Sequence, residues 1–279
     1  MRQKIVSLFG ALILLAGAGI YAYPKVSNLI VKYNQEKMIS QYLTGMEQVA
    51  AADIDEMLEE AEAYNETLVH ASGRWLLTDE QTAQYNALLD TSGDGVMGYI
   101  EIPAIKCTLP IRHGVDDAVL QTSIGHIPGS SLPVGGVNTH AVVSGHRGLP
   151  SAQLFTNLDR VAKGDIFTIT TLGRTLTYQV DQILVTLPED AYDYLGIERG
   201  EDLCTLITCT PYGVNTHRLL VRGHRIDTEE DAALIVVTDA ERIPVRYVSA
   251  AAALPFLLLW LIVFAAGRRK KRGREVTEA

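Results

Sequence analysis

Cysteine is scarce in this chain, with only Cys107, Cys204 and Cys209 among 279 residues. An odd count leaves at least one thiol unpaired within the chain, and in a protein held outside the cell a leftover thiol is a candidate reactive group. Cys204 and Cys209 stand five apart in one apolar β-type run, which turns them to opposite faces of a strand and argues against a bridge between them. Positive charge is scarce too. Lys and Arg number 24 against 33 Asp and Glu, for a net charge of −9, and six of the seven residues from Arg268 to Arg274 are basic. The rest of the chain is therefore more acidic than the total suggests, which argues against nucleic-acid binding. Internal repeats and low-complexity tracts are missing as well.

Charge is wholly absent from two stretches. Ile5 to Pro24 spans 20 residues behind Arg2 and Lys4, and Tyr247 to Gly267 spans 21 residues ahead of the basic tail. Twenty helical residues cover roughly 30 Å, about one hydrocarbon core. The second stretch, densely apolar from Leu254 to Phe264 with Trp260 inside it, predicts a transmembrane helix whose basic flank stays in the cytoplasm. The first fits either an uncleaved anchor or a signal peptide, with Ala16-Gly17-Ala18 as a cleavage site. Both readings put residues 25–246 outside the cell, in one domain of ordinary size at 47% hydrophobic composition.

Along the chain, Met46, Ala50, Ile54, Met57, Ala61, Tyr64 and Leu68 recur at threes and fours and predict an amphipathic helix over 46–68, its acidic face solvated. A second helical stretch is expected from Thr78 to Leu89. Asp90 to Glu101 (DTSGDGVMGYIE) has the spacing of a calcium loop with Ser92 at the third position, but a strand and not a helix follows it, so a turn is the better reading. From Tyr99 onward short β-type runs alternate with Gly, Pro, Asn and Asp clusters, which predicts a mainly β fold, a closed barrel or sandwich.

The chemistry gathers in Thr205 to Arg225, TLITCTPYGVNTHRLLVRGHR. Cys209 ends one β-type run, a Pro-Tyr-Gly turn follows, and Arg218 opens the next run, so a thiol and a guanidinium stand at the two lips of a strand-turn-strand unit. A thiol of ordinary pKa is only a few per cent thiolate at neutral pH. It needs an acid-base partner, for which His146 in SGHRGLP is the best candidate, and Arg218 suits a developing oxyanion.

These residues resemble the motifs of the sortases, specifically the class C, pilus-assembling kind: a TLxTC strand end, an Arg nine positions after the Cys and a GHRG His 63 positions before it. The resemblance runs from about Met46 to Arg225 and includes GDGVMGYIEIP, LPIRHG, GHIPGSSLPVGG and LFTNLDRVAKGD. It implies a sortase-type closed β-barrel over 99–228, a helical and lid region over 25–98, a stem over 229–246, the C-terminal transmembrane helix over 247–267 and a cytoplasmic tail over 268–279. It implies Cys209 as nucleophile, His146 as general acid and Arg218 as electrostatic stabiliser. By the same token, Thr208 and Ser144 become candidate substrate contacts. A class C lid carries an Asp-Pro-aromatic segment over the active site; here Trp75 holds the aromatic place, but Gly73 and Arg74 stand where the Asp and Pro would be.

The implied reaction is cleavage of an LPxTG-like sorting signal between Thr and Gly and transfer to a pilin Lys amine, in the membrane of a Gram-positive cell and without metal or organic cofactor. A cell-wall-anchoring sortase or a thiol hydrolase shares the same three residues. A membrane-anchored binding module with an inert Cys209, and a zinc site from Cys204, Cys209, His217 and His224, are the competing readings from other classes; the zinc-ligand intervals fit poorly. His113, His126, His140, His217 and His224 are expected in turns or on the surface, and Arg222 and Arg225 in structural roles.

Overall fold

A computed structural model of the chain describes residues 2–226. The side chains of residues 1–8 and 11 lie outside that description, as do residues 227–279, and with them the expected stem, transmembrane stretch and basic tail. Among the described residues no helix is long and apolar enough to cross a membrane.

Three helices precede the sheet: α1 (Arg2–Gln48), α2 (Ala51–Val69) and α3 (Asp79–Ala87). The single helix expected over 46–68 is two pieces. Ala50 is extended at φ −66° and ψ 146°, so Met46 closes α1 and the acidic helix starts at Ala51. No Gly or Pro marks the break, and the apolar period runs straight through it. Most of the stripe packs as expected, with Ala61, Tyr64 and Leu68 in the main core and Met46, Ile54 and Met57 against it, while Ala50 is exposed and Leu58, outside the stripe, is buried with them. Helix α3 begins at a reciprocal cap between Thr78 and Gln81. Helix α1 is tied to the barrel by the Gln35 side chain donating to Thr122 O and by the Tyr42 hydroxyl, which donates to Met97 O and accepts from Leu172 N.

Eight strands follow: β1 (Val96–Ile102), β2 (Cys107–His113), β3 (Ile124–His126), β4 (Thr139–Ser144), β5 (Ile166–Thr171), β6 (Arg174–Thr186), β7 (Asp202–Thr210) and β8 (His217–Ile226). They close into a barrel in the order β1-β2-β3-β4-β7-β8-β6-β5, with β2–β3 and β4–β7 parallel and the other pairs antiparallel. Closure removes the open edges that would otherwise pair with other chains. The loop from Asp90 is a turn: Asp90 Oδ1 accepts from Gly93 N and Gly95 N, and Asp94 Oδ1 from Val96 N.

Strand alternation sorts the apolar residues into two clusters. Ala141 and Val143 of β4, Cys204 and Leu206 of β7, and Leu219 and Val221 of β8 point into the main core with Phe167 and Tyr178. The residues between them point outward. Val142, Ile207 and Leu220 form a second cluster with Leu195, against which Trp75, Ile127 and Leu184 pack. This outer apolar patch sits where the three central strands run side by side.

Candidate active site

Antiparallel pairing of β7 with β8 sets Cys209 directly opposite Arg218, and opposed residues of such a pair have Cβ atoms about 4.5–5.5 Å apart on one face. That face is the outer one, because Cys209 lies two residues beyond Ile207 and Arg218 two before Leu220. Both are half-buried. The Arg218 guanidinium donates only to main-chain carbonyls, His217 O at 3.2 Å and Asn215 O at 3.5 Å, so no carboxylate neutralises it among the described residues.

His146 comes from the strand on the other side of β7. Parallel pairing matches Ser144 with Ile207, Gly145 N donates to Ile207 O at 3.0 Å, and the chain then delivers His146 to the end of β7 that carries Cys209. Gly145 is required there, since a Cβ would lie 2.8 Å from both Ile124 Cγ2 and Phe155 Cδ2. Phe155 N donates to His146 O at 3.1 Å. The backbone around His146 is thus fixed, whereas its half-buried imidazole makes no hydrogen bond within the described residues. A thiol, an unpaired guanidinium and an unpartnered imidazole converge on one partly open face, a set able to carry a nucleophile, an oxyanion donor and a proton shuttle.

The two expected substrate contacts fare differently. Thr208 is a correction. It is 1% exposed, on the face opposite Cys209, and its hydroxyl donates to Gly145 O at 2.7 Å, so it is turned away from any substrate above the thiol. Ser144 shares the outward parity of Val142, is half-buried, and its hydroxyl makes no hydrogen bond within the described residues.

Trp75 lies against the outer cluster, 5.0 Å between ring centroids from Tyr192. Arg74 stacks on it at 4.4 Å and donates through Nη2 to Leu195 O at 2.6 Å. The segment also crosses Gly129, where a Cβ would stand 2.0 Å from Arg74 O. With Asp and Pro missing, Arg74 ties this segment to the loop before β7. Its guanidinium is engaged there.

The remaining candidates sort by burial. His126 and His140 are buried and not at the surface, a second correction. The His126 Nε2–H donates to Ser131 O and its Nδ1 faces the Tyr85 hydroxyl; the His140 Nδ1–H donates to Gly196 O and its Nε2 faces the Thr205 hydroxyl. Burial pushes both imidazoles down to about 4. Arg222 is paired with Asp181 and Glu198, a structural role. Cys204 and Cys209 face opposite sides of β7, so they cannot share one metal ion.

A sortase-domain family model matches residues 100–226. Sortase C1 of Streptococcus agalactiae is 47% identical, covering 69% of this chain and all of that one with a TM-score of 0.67. Sortase C of Streptococcus pneumoniae, whose structure is described as informing catalysis and pilin substrate specificity, is 42% identical over 68% of this chain and 97% of its own, with a TM-score of 0.62. Sortase D of Bacillus subtilis strain 168 is 26% identical over 175 residues, 62% of this chain and 84% of that protein.

Proposed function

The chain belongs to the sortase family and is a cysteine transpeptidase; from that premise we propose that it polymerises pilins, with Cys209 as nucleophile, His146 as proton carrier and Arg218 as oxyanion donor. The observation that carries the reading is the register of β7 with β8, which opposes Cys209 and Arg218 on the outer face at the strand end where His146 arrives. The preference for pilins over other acceptors rests on likeness to the class C enzymes at 42–47% identity.

The Cys209 thiolate attacks the Thr carbonyl carbon of an LPxTG-like signal. Negative charge moves to the carbonyl oxygen, where the Arg218 guanidinium meets it without a carboxylate competing for its charge. The C–N bond to Gly then breaks, and His146 gives its proton to the departing amine. A thioester remains. A pilin Lys amine attacks that thioester, its proton passes to His146, the C–S bond breaks, and an isopeptide bond joins two subunits.

With Trp75 displaced, the outer apolar cluster of Val142, Ile207 and Leu220, buried in this structure, becomes a floor for the apolar residues of the signal, with Ser144 as a polar contact at its edge. The uncharged stretches at the two ends of the chain support a membrane-anchored enzyme with its barrel outside the cell, where anchored pilins would meet it.

The test is intact mass spectrometry after incubation with an LPxTG-type peptide. A gain equal to the peptide up to its Thr, absent in Cys209→Ala, is expected. Adding a pilin domain with its Lys must then discharge the thioester faster than water or a peptidoglycan amine does; discharge by water alone would leave a thiol hydrolase.

A further inference from the structure

The residues on both sides of His146 are bonded to the residues on both sides of Cys209. Before the histidine, Gly145 O accepts from the Thr208 hydroxyl at 2.7 Å. After it, Arg147 donates through Nη1 to the Thr210 hydroxyl at 3.0 Å. The two bonds bracket the pair, so the His-bearing loop and the Cys-bearing strand are pinned together on either side of the reacting side chains. Neither pin is loosely held. Thr208 is 1% exposed, and the Arg147 side chain, 8% exposed, is anchored through its other terminal nitrogen, Nη2, on Asp159 Oδ2 at 2.6 Å.

We propose that Thr208 and Arg147 are positioning residues, which set the approach of His146 to Cys209 through these two bonds while touching no substrate. The inference rests on the proposed roles of His146 and Cys209. Physically it follows from the division noted above: the imidazole makes no hydrogen bond within the described residues that would hold it, so its approach to the thiol is set by the backbone, and the backbone is set by the pins. A displacement of about 1 Å at such a site can cost on the order of 100-fold in rate.

The experiment compares Thr208→Val, which keeps shape and loses the donor, with Thr208→Ser, which keeps the donor. Thr208→Val is expected to lower kcat roughly 10- to 100-fold with KM within about threefold, and to move the ring signals of His146 in proton–nitrogen NMR spectra. Thr208→Ser should restore both. Thr210→Val, at the half-exposed strand end, removes the acceptor of Arg147 and should act in the same direction; it also decides the matter if Thr208→Val does not fold. Folded variants with kcat within twofold of the parent and unmoved His146 signals would overturn the proposal. So would a change confined to KM, which would mark Thr208 as a substrate contact, or a failure of serine to rescue. If the parent enzyme forms no thioester, the reaction assignment fails first, and the NMR comparison still reads whether the pins place His146.

Discussion

Strand β7 carries two thiols five residues apart, one facing into the barrel and one facing out. Cys204 is fully buried in the main core, and burial beside Asp202 pushes its thiol well above the ordinary range. Cys209 is half-buried, opposite a guanidinium and next to the histidine loop. The histidines divide in the same way: His126 and His140 have both ring nitrogens engaged, whereas the His146 ring has no such partner within the described residues. The buried histidines, His126 on the inner face and His140 on the outer parity of β4, are partnered and hold the fold; half-buried groups on the outer face at the strand ends beside Cys209 keep open bonding capacity for a substrate. Chemistry here is assigned by face and burial together, not by residue type.

The strongest test of that division exchanges the two thiols. Cys209→Ala should abolish transfer, a loss of roughly 10⁴-fold or more for removal of a nucleophile, while Cys204→Ala keeps it. Iodoacetamide at neutral pH should add one group to the native protein, at Cys209, and three to the denatured chain. Cys107 is expected to stay unmodified because burial raises its thiol to about 12. Full transfer by Cys209→Ala would end the assignment. Next in size, Arg218→Lys should cost roughly 10- to 100-fold in kcat, since an ammonium cannot reproduce the planar fork of donors. A rate within twofold of the parent would make Arg218 a structural residue of β8.

The buried histidines have their own test, in stability and not rate. His126 and His140 are held down to about 4 from 6.5, so as pH falls the unfolded chain takes up protons first. Their stabilising contribution is complete above pH 6.5 and is lost as pH falls toward 4, at most roughly 3 kcal/mol for each. Burial raises Asp202, which works in the opposite sense and trims the effect. Thermal unfolding should therefore move to lower temperature between pH 7 and pH 4.5. A midpoint that does not move would mean that these imidazoles are not kept neutral by burial.

Most of the barrel was legible in the sequence because its turns are written in Gly, Pro, Asn and Asp, and seven of the eight strands fall on runs that read as β. The exception is β3, three residues long (Ile124–His126) and too short to show a period. The break at Ala50 was hidden because the apolar stripe continues through it. Cys209, His146 and Arg218 stood out by spacing. Thr208 was misread although its parity was available: a residue next to an outward Cys must face inward. What no local pattern carries is pairing across distance, such as Asn65 exchanging hydrogen bonds with Leu132 N and O, or Thr208 reaching Gly145 63 positions away. Those bonds follow from the barrel order, which places β4 beside β7.

The smallest expected effect concerns how open the outer face is. Trp75 covers the outer cluster and Arg74 holds the segment down through Leu195 O. Burial lowers the Arg74 guanidinium from its ordinary value, and its Nη1 is buried without a partner, so the latch is a single hydrogen bond held by a group partly starved of solvent. Its loss should cost little stability, because the unsatisfied donor leaves with the satisfied one. Arg74→Ala and Trp75→Ala are therefore expected to raise the rate of thioester formation by a few fold, with Trp75→Ala the larger since it also uncovers Ile207 and Leu220. Arg74→Ala separates the two roles. If it accelerates the reaction with Trp75 intact, the segment opens as a lid on a latch; if neither variant changes the rate while both lower the melting temperature, Trp75 is part of the outer core and the face beside Cys209 is already open.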